Sequence, residues 1–148
     1  MGAEGVYWGM IFVEGSPRPQ EQAGATVLAI ERFGVKVYET VLGTEDLVGR
    51  ITQVRKTTDD PLTFEIRFEN TGNVQLRPTG RIDIIDQSGE IVRNIRIEEF
   101  PLLPGKARIL SVSDTTELSL TAGIYRALVT IDYGDDDLAG GTRDFRLR

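Results

Sequence analysis

Between Phe68 and Glu90, apolar and polar residues alternate, and Asn, Gly, Pro and Ser mark where the alternation stops. The pattern reads as a strand, a bend, a second strand and a tight turn. Alternation with a period of two turns one face of a strand toward a core and the other toward water. It continues to the C-terminus and predicts strands over 49–57, 62–69, 80–86, 91–98, 107–112, 123–133 and 142–148. Turn residues separate them at 59–61, 70–73, 87–89, 103–105 and 134–137. Phe64, Ile66 and Phe68 form one apolar row, and Tyr125, Ala127, Val129, Ile131 and Tyr133 form another. These rows are expected to form the core. No helix is expected: Thr115 and Thr116 make 114–120 a turn at most.

Upstream, 6–14 is a run of aromatic and β-branched residues, the types that suit a pleated surface. The polar, Pro-bearing stretch 16–24 reads as a loop. Alternation returns over 25–41 and predicts one long strand, or two meeting in a bulge at Gly34. Residues 6–41 are thus expected to form a hairpin with a long loop, and 42–49 the seam between that hairpin and the seven strands.

About seven strands after that seam is the number an immunoglobulin-like sandwich needs. The predicted fold is therefore all-β. An immunoglobulin-like antiparallel β-sandwich covers 43–148, and a β-hairpin, 1–42, precedes it. Within the segment Leu118 to Tyr125, the tyrosine opens the sixth strand. It is expected to fold its hydroxyl back onto nearby backbone, as a tyrosine corner does.

Composition narrows the function. The chain has 148 residues, one ordinary domain or one domain with a fragment of another. At 40% hydrophobic and 27% charged it can bury a core and is not compositionally disordered. Its net charge of −6 argues against nucleic-acid partners and anionic membrane surfaces, which need a basic field. No apolar run approaches the roughly 20 residues of a membrane span, so no membrane insertion is expected. The absence of cysteine and histidine removes thiol nucleophiles, zinc–thiolate sites and the usual general base near neutral pH. Met1 to Gly5 has neither the basic start nor the apolar stretch of a signal peptide. A strand starting so close to the first residue leads us to expect a processed or truncated form.

Candidate chemistry is sparse. Asp135, Asp136 and Asp137 are calcium candidates, because clustered carboxylates suit a hard cation and sandwich topology would bring Asn70 and Asn73 near them. A solvated, repelling hairpin tip is the competing reading. Glu98 and Glu99 are adjacent on a strand and point to opposite faces, so they cannot flank one glycosidic bond. Residues 139–141, Ala-Gly-Gly, lack the rest of a phosphate-binding loop and read as a turn. Arg50, Arg55, Lys56, Arg67, Arg77, Arg81, Arg93 and Arg96 are interspersed with acids and are expected to form cross-strand ion pairs. No enzyme activity and no cofactor are expected.

Two segments carry a resemblance. Tyr7-Trp-Gly-Met-Ile-Phe-Val13 is an aromatic strand leading into a Pro-bearing loop. Val27-Leu-Ala-Ile-Glu-Arg-Phe-Gly-Val-Lys-Val-Tyr38 is a long strand with a basic, apolar, aromatic run. Together they resemble the last two strands of the first immunoglobulin-like domain of the periplasmic chaperones of pilus assembly. The rest of the chain resembles a second such domain. The resemblance implies that 1–42 is the remnant of an upstream domain and that the long strand pairs with an incomplete pilus-type subunit. Backbone ladders would then give affinity, and alternating side chains would fill pockets. Val27, Leu28, Ile30, Val35, Val37 and Tyr38 are the implied partner-binding residues. Lys36 matches the family lysine that anchors the subunit's C-terminal carboxylate; its competing reading is an edge-strand lysine that discourages aggregation. The family's early strands, with their anchoring arginine, have no counterpart here. Tyr38-Glu-Thr-Val41 also replaces the usual basic, aromatic, Pro ending.

The expectation is a non-enzymatic interaction module, periplasmic or extracellular, acting by strand addition through its hairpin. Its partner would be a pilus-type subunit. The alternative is a self-assembling filament or surface subunit, a homo-oligomer exchanging strands between copies. A carbohydrate-binding module using Tyr7, Trp8 and Tyr133 as stacking platforms ranks third, against a reading of all three as core residues.

Overall fold

Phe64, Ile66 and Phe68 have no solvent exposure, while Glu65, Arg67 and Glu69 between them stay partly exposed. The alternation that predicts a strand here is thus converted directly into burial. The structure is a computed structural model that describes residues 2–117 and 119–148, apart from the side chains of Gln22 and Val27. Leu118, in the segment before Tyr125, lies outside the described residues.

Among the described residues there are eleven strands and no helix. They are β1 Val6–Glu14, β2 Arg18–Gln22, β3 Ala25–Ala29, β4 Arg32–Thr40, β5 Gly49–Asp59, β6 Leu62–Asn70, β7 Thr79–Ile85, β8 Ile91–Ile97, β9 Ala107–Ser113, β10 Gly123–Asp132 and β11 Leu138–Leu147. The last seven form two antiparallel sheets, ordered β5-β6-β9 and β11-β10-β7-β8. The chain changes sheet after β6, after β8 and after β9.

The two sheets face each other across one core, a β-sandwich. Phe64, Ile66 and Phe68 of β6 meet Ile82 and Ile84 of β7 and Ala127, Val129 and Ile131 of β10, all fully buried. Phe64 packs edge-on against Phe145 of β11, with centroids 5.2 Å apart. The Tyr125 hydroxyl donates to the Thr121 carbonyl at 2.8 Å, and its ring stacks on Phe145. Both expected core rows are therefore in place.

The basic residues noted in the sequence are all ion-paired, but only Arg50 and Arg55 pair across adjacent strands as expected. Arg50 and Arg67 share Glu69, Arg55 meets Glu65, and Lys56 meets Asp59. Arg77 meets Glu99, Arg81 meets Asp83, Arg93 meets Asp114, and Arg96 meets Glu98. Most of these pairs are solvated, and such pairs contribute on the order of 0–1 kcal/mol each. One local expectation fails: Ala139, Gly140 and Gly141 lie inside β11, paired with Ile131, Thr130 and Val129, and do not form a turn.

Candidate functional site

β1 pairs with β4 in an unbroken antiparallel register from Val6↔Thr40 to Glu14↔Arg32. β2 pairs with β3 from Arg18↔Ala29 to Gln22↔Ala25. The Gly15 amide donates to the Glu31 carbonyl at 2.8 Å and links the two ladders. Residues 6–40 thus make one long ribbon. Its tip is Ala23–Gly24, both at positive φ, as a tight two-residue hairpin turn requires. Two sequence expectations are corrected here. The stretch 16–24 is largely strand, because β3 supplies a ladder that local polarity does not reveal. Gly34 is no bulge, since it pairs with Phe12 in register; the interruption falls at Ile30 and Glu31.

Among the described residues neither ladder has a third strand. The outer edges of β1 and β4 therefore present backbone N–H and C=O groups to which another strand can be added.

The register divides the side chains between two faces. Trp8, Met10 and Phe12 share one face with Tyr38, Lys36 and Gly34. A Cβ on Gly34 would stand 3.2 Å from Met10 Sδ and 3.3 Å from Phe12 Cε1, as this assignment requires. Arg32 lies over the Phe12 ring and pairs with Glu14 on the same face. The opposite face carries Tyr7, Ile11 and Val13 with Val37, Val35 and Phe33. Neither face is covered: Trp8 is 58% exposed, Ile11 59% and Phe33 63%. Contiguous exposed apolar surface of this kind marks an interaction site.

The root of the arm is tied to the sandwich. The Val6 amide donates to the Asn73 carbonyl at 3.0 Å, and the Val41 amide to the Gly5 carbonyl at 2.9 Å. Asn73 Nδ2 donates to the Thr44 carbonyl at 2.7 Å, and its Oδ1 accepts the Asp46 amide at 2.7 Å. Thr44 Oγ1 accepts the Gly5 amide at 2.9 Å. Val6 and Leu47 pack against the core. The seam is thus a hydrogen-bonded clamp between 44–46 and 70–73.

The structure scatters the sequence-derived candidates. Val35 and Val37 lie on one face of β4, and Lys36 and Tyr38 on the other. Leu28 stands exposed on β3, opposite Pro19. Ile30 is exposed between β3 and β4. The Val27 side chain lies outside the described residues. The structure adds Trp8, Met10, Ile11, Phe12 and Val13 from β1, which present as much apolar surface as β4. Their run is visible in the sequence, but nothing local says that it is left uncovered. The clamp residues Gly5, Thr44 and Asn73 have no signal beyond that of ordinary turn residues.

Other candidates are not assembled. Asp135, Asp136 and Asp137 are exposed between β10 and β11, and the described residues include no group of three or more His, Cys, Asp or Glu that could hold a metal. Asn70 and Asn73 do not serve the acidic loop as anticipated; Asn70 binds the carbonyls of Val74 and Leu102, and Asn73 holds the clamp. Tyr133 is buried, whereas Tyr7 and Trp8 are exposed on opposite faces of the arm. The three aromatics thus make no single stacking platform, and the reading of all three as core residues holds only for Tyr133.

No family model matches the chain, and a search of curated proteins found no match.

Proposed function

We propose that this protein is a non-enzymatic interaction module of the pilus-chaperone kind, which binds partner chains by β-strand addition along its N-terminal arm. One observation carries the reading. A two-stranded ribbon, with apolar residues on both faces and open at both edges, stands exposed beyond its root. Isolated ribbons of this kind are marginal in water, and an added strand supplies both ladder and cover. The three-plus-four strand order, the sheet changes and the Tyr125–Thr121 hydrogen bond support an immunoglobulin-like assignment for 43–148. Val35, Val37, Lys36 and Tyr38 would flank the added strand, with Leu28 and Ile30 extending the surface. The partner is a pilus-type subunit, and the compartment is the periplasm or the cell exterior.

The test is amide hydrogen exchange on the full chain with an extended peptide of alternating apolar residues. Uptake of one peptide with new protection along the outer edge of β1 or β4 supports strand addition. Absence of new edge protection at saturating peptide sinks it. A second reading, self-assembly by strand exchange between copies, is favoured by the same open edges. It predicts edge protection that rises with protein concentration and needs no peptide.

A further inference from the structure

The two faces of the arm are chemically unequal. The charged residues Glu14, Arg32 and Lys36 all lie on the Trp8 face. The other face presents Tyr7, Ile11, Val13, Phe33, Val35 and Val37, and its only charge between β1 and β4 is Glu39, at the root. Gly9 sits on this face between Tyr7 and Ile11, and open space surrounds the place where its Cβ would be. Apart from Glu39 at the root, the face is therefore an apolar surface with a hollow at Gly9 beside the exposed Ile11.

We infer that this face packs against the same face of a second copy, making a twofold dimer of arms. An apolar surface whose single charge lies at one end is complementary to itself, whereas the rest of a chain of net charge −6 repels its copies. The register supplies the fit. A twofold axis crossing the ribbon at the Met10↔Lys36 pair sets each Ile11 over the Gly9 hollow of the second copy and each Val35 over Val37. The two Glu39 side chains then lie at opposite ends of the interface, apart from each other. The six apolar residues are about half exposed, Tyr7 and Phe33 retaining on the order of 100 Å² each and the smaller Ile and Val residues somewhat less. Closing the face in both copies removes on the order of 1,000 Å², near the threshold a specific interface needs. This packing uses a face and not an edge, so it stands or falls separately from strand addition.

The experiment is sedimentation velocity of the full chain over micromolar concentrations, with Val35→Asp and Met10→Asp compared with wild type. A wild-type dimer is expected. Val35→Asp buries an unpaired carboxylate and should weaken the dimer at least about 100-fold. Met10→Asp lies on the other face and should leave dimerisation within about threefold. Unchanged melting of the sandwich in both variants verifies folding, since both positions are on the exposed arm. A wild-type chain that stays monomeric, with or without added peptide, overturns the inference and leaves the face to a different partner. So does a dimer that resists Val35→Asp, or one that both substitutions dissociate equally.

Discussion

Gly5 lies directly against the backbone of Asn73: a Cβ at Gly5 would stand 2.6 Å from the Asn73 carbonyl oxygen. That same oxygen accepts the Val6 amide at 3.0 Å. Gly5 also has a φ of 76°, a region that L side chains rarely adopt. The close approach and the arm's first hydrogen bond are one arrangement, and it is open only to glycine.

Replacing Gly5 with Ala therefore separates the arm from its clamp. The expected local cost is about 2 kcal/mol, from the positive φ and the clash with a carbonyl. Amide exchange at Val6 and Val41 should accelerate by an order of magnitude or more, with the β6 and β10 amides unaffected. Wild-type protection at Val6 in this variant would refute the clamp.

Asn70 holds the turn beneath the clamp. It is 1% exposed, donates to the Val74 and Leu102 carbonyls at 2.8 and 3.0 Å, and accepts the Gly72 amide at 3.0 Å. Asn70→Ala strands these backbone groups away from water and should cost about 2–4 kcal/mol in urea unfolding. A loss below about 1 kcal/mol would mean that water replaces the side chain.

Phe68 and Phe12 are the same residue type in similar strand patterns, yet their substitution should differ sharply. Phe68 is fully buried against Phe100 and Tyr133, so Phe68→Ala should cost about 3–5 kcal/mol. Phe12 is 59% exposed, so Phe12→Ala should change the monomer's stability by about 0.5 kcal/mol or less. Equal losses in thermal or urea unfolding would show that the arm folds back onto a core.

Acid should weaken the fold through a defined set of solvated carboxylates. Arg126 holds Asp144 below the ordinary aspartate pKa, Arg50 and then Arg67 do so for Glu69, and Lys56 does so for Asp59. The Ser88 hydroxyl lowers Asp86 in the same way. A carboxylate with a depressed folded pKa favours the fold fully above its unfolded pKa, near 4, and loses that contribution as pH falls through the folded value. The urea midpoint should stay level from about pH 7 to 5 and decline below about 4, more gently in Glu69→Gln. Burial, reinforced by Asp135 and Asp137, raises the Tyr133 pKa. Its contribution is present below the unfolded tyrosine value, near 10, and is lost as pH rises through the folded value. A midpoint that keeps rising from pH 5 down to 3 would contradict the carboxylate assignment.

The limits of reading this chain show at particular residues. Phe64 to Phe68 and Tyr125 to Ile131 can be read because burial repeats with the strand period, which is local. The Arg18–Gln22 strand cannot, because Pro19 and its polar neighbours look like loop, and only the ladder to Ala25–Ala29 makes them strand. Pro19 is tolerated there because a two-stranded ribbon has an open edge on which its missing N–H costs nothing. Gly34 looks like a bulge, yet Phe12 pairs with it in register. A bulge is a property of two strands and cannot be read from one.

Period-two alternation was enough to establish an all-β chain, the approximate positions of its C-terminal strands except the start of the last, and the two rows at the centre of the sandwich, because a strand's side chains switch faces at every step whatever its surroundings. That Tyr7 and Trp8 stand in water while Tyr133 is buried, and that Asn73 anchors the arm, came only from the folded arrangement. Coverage of an apolar face depends on segments far away in the chain, and no local pattern encodes which of them arrive.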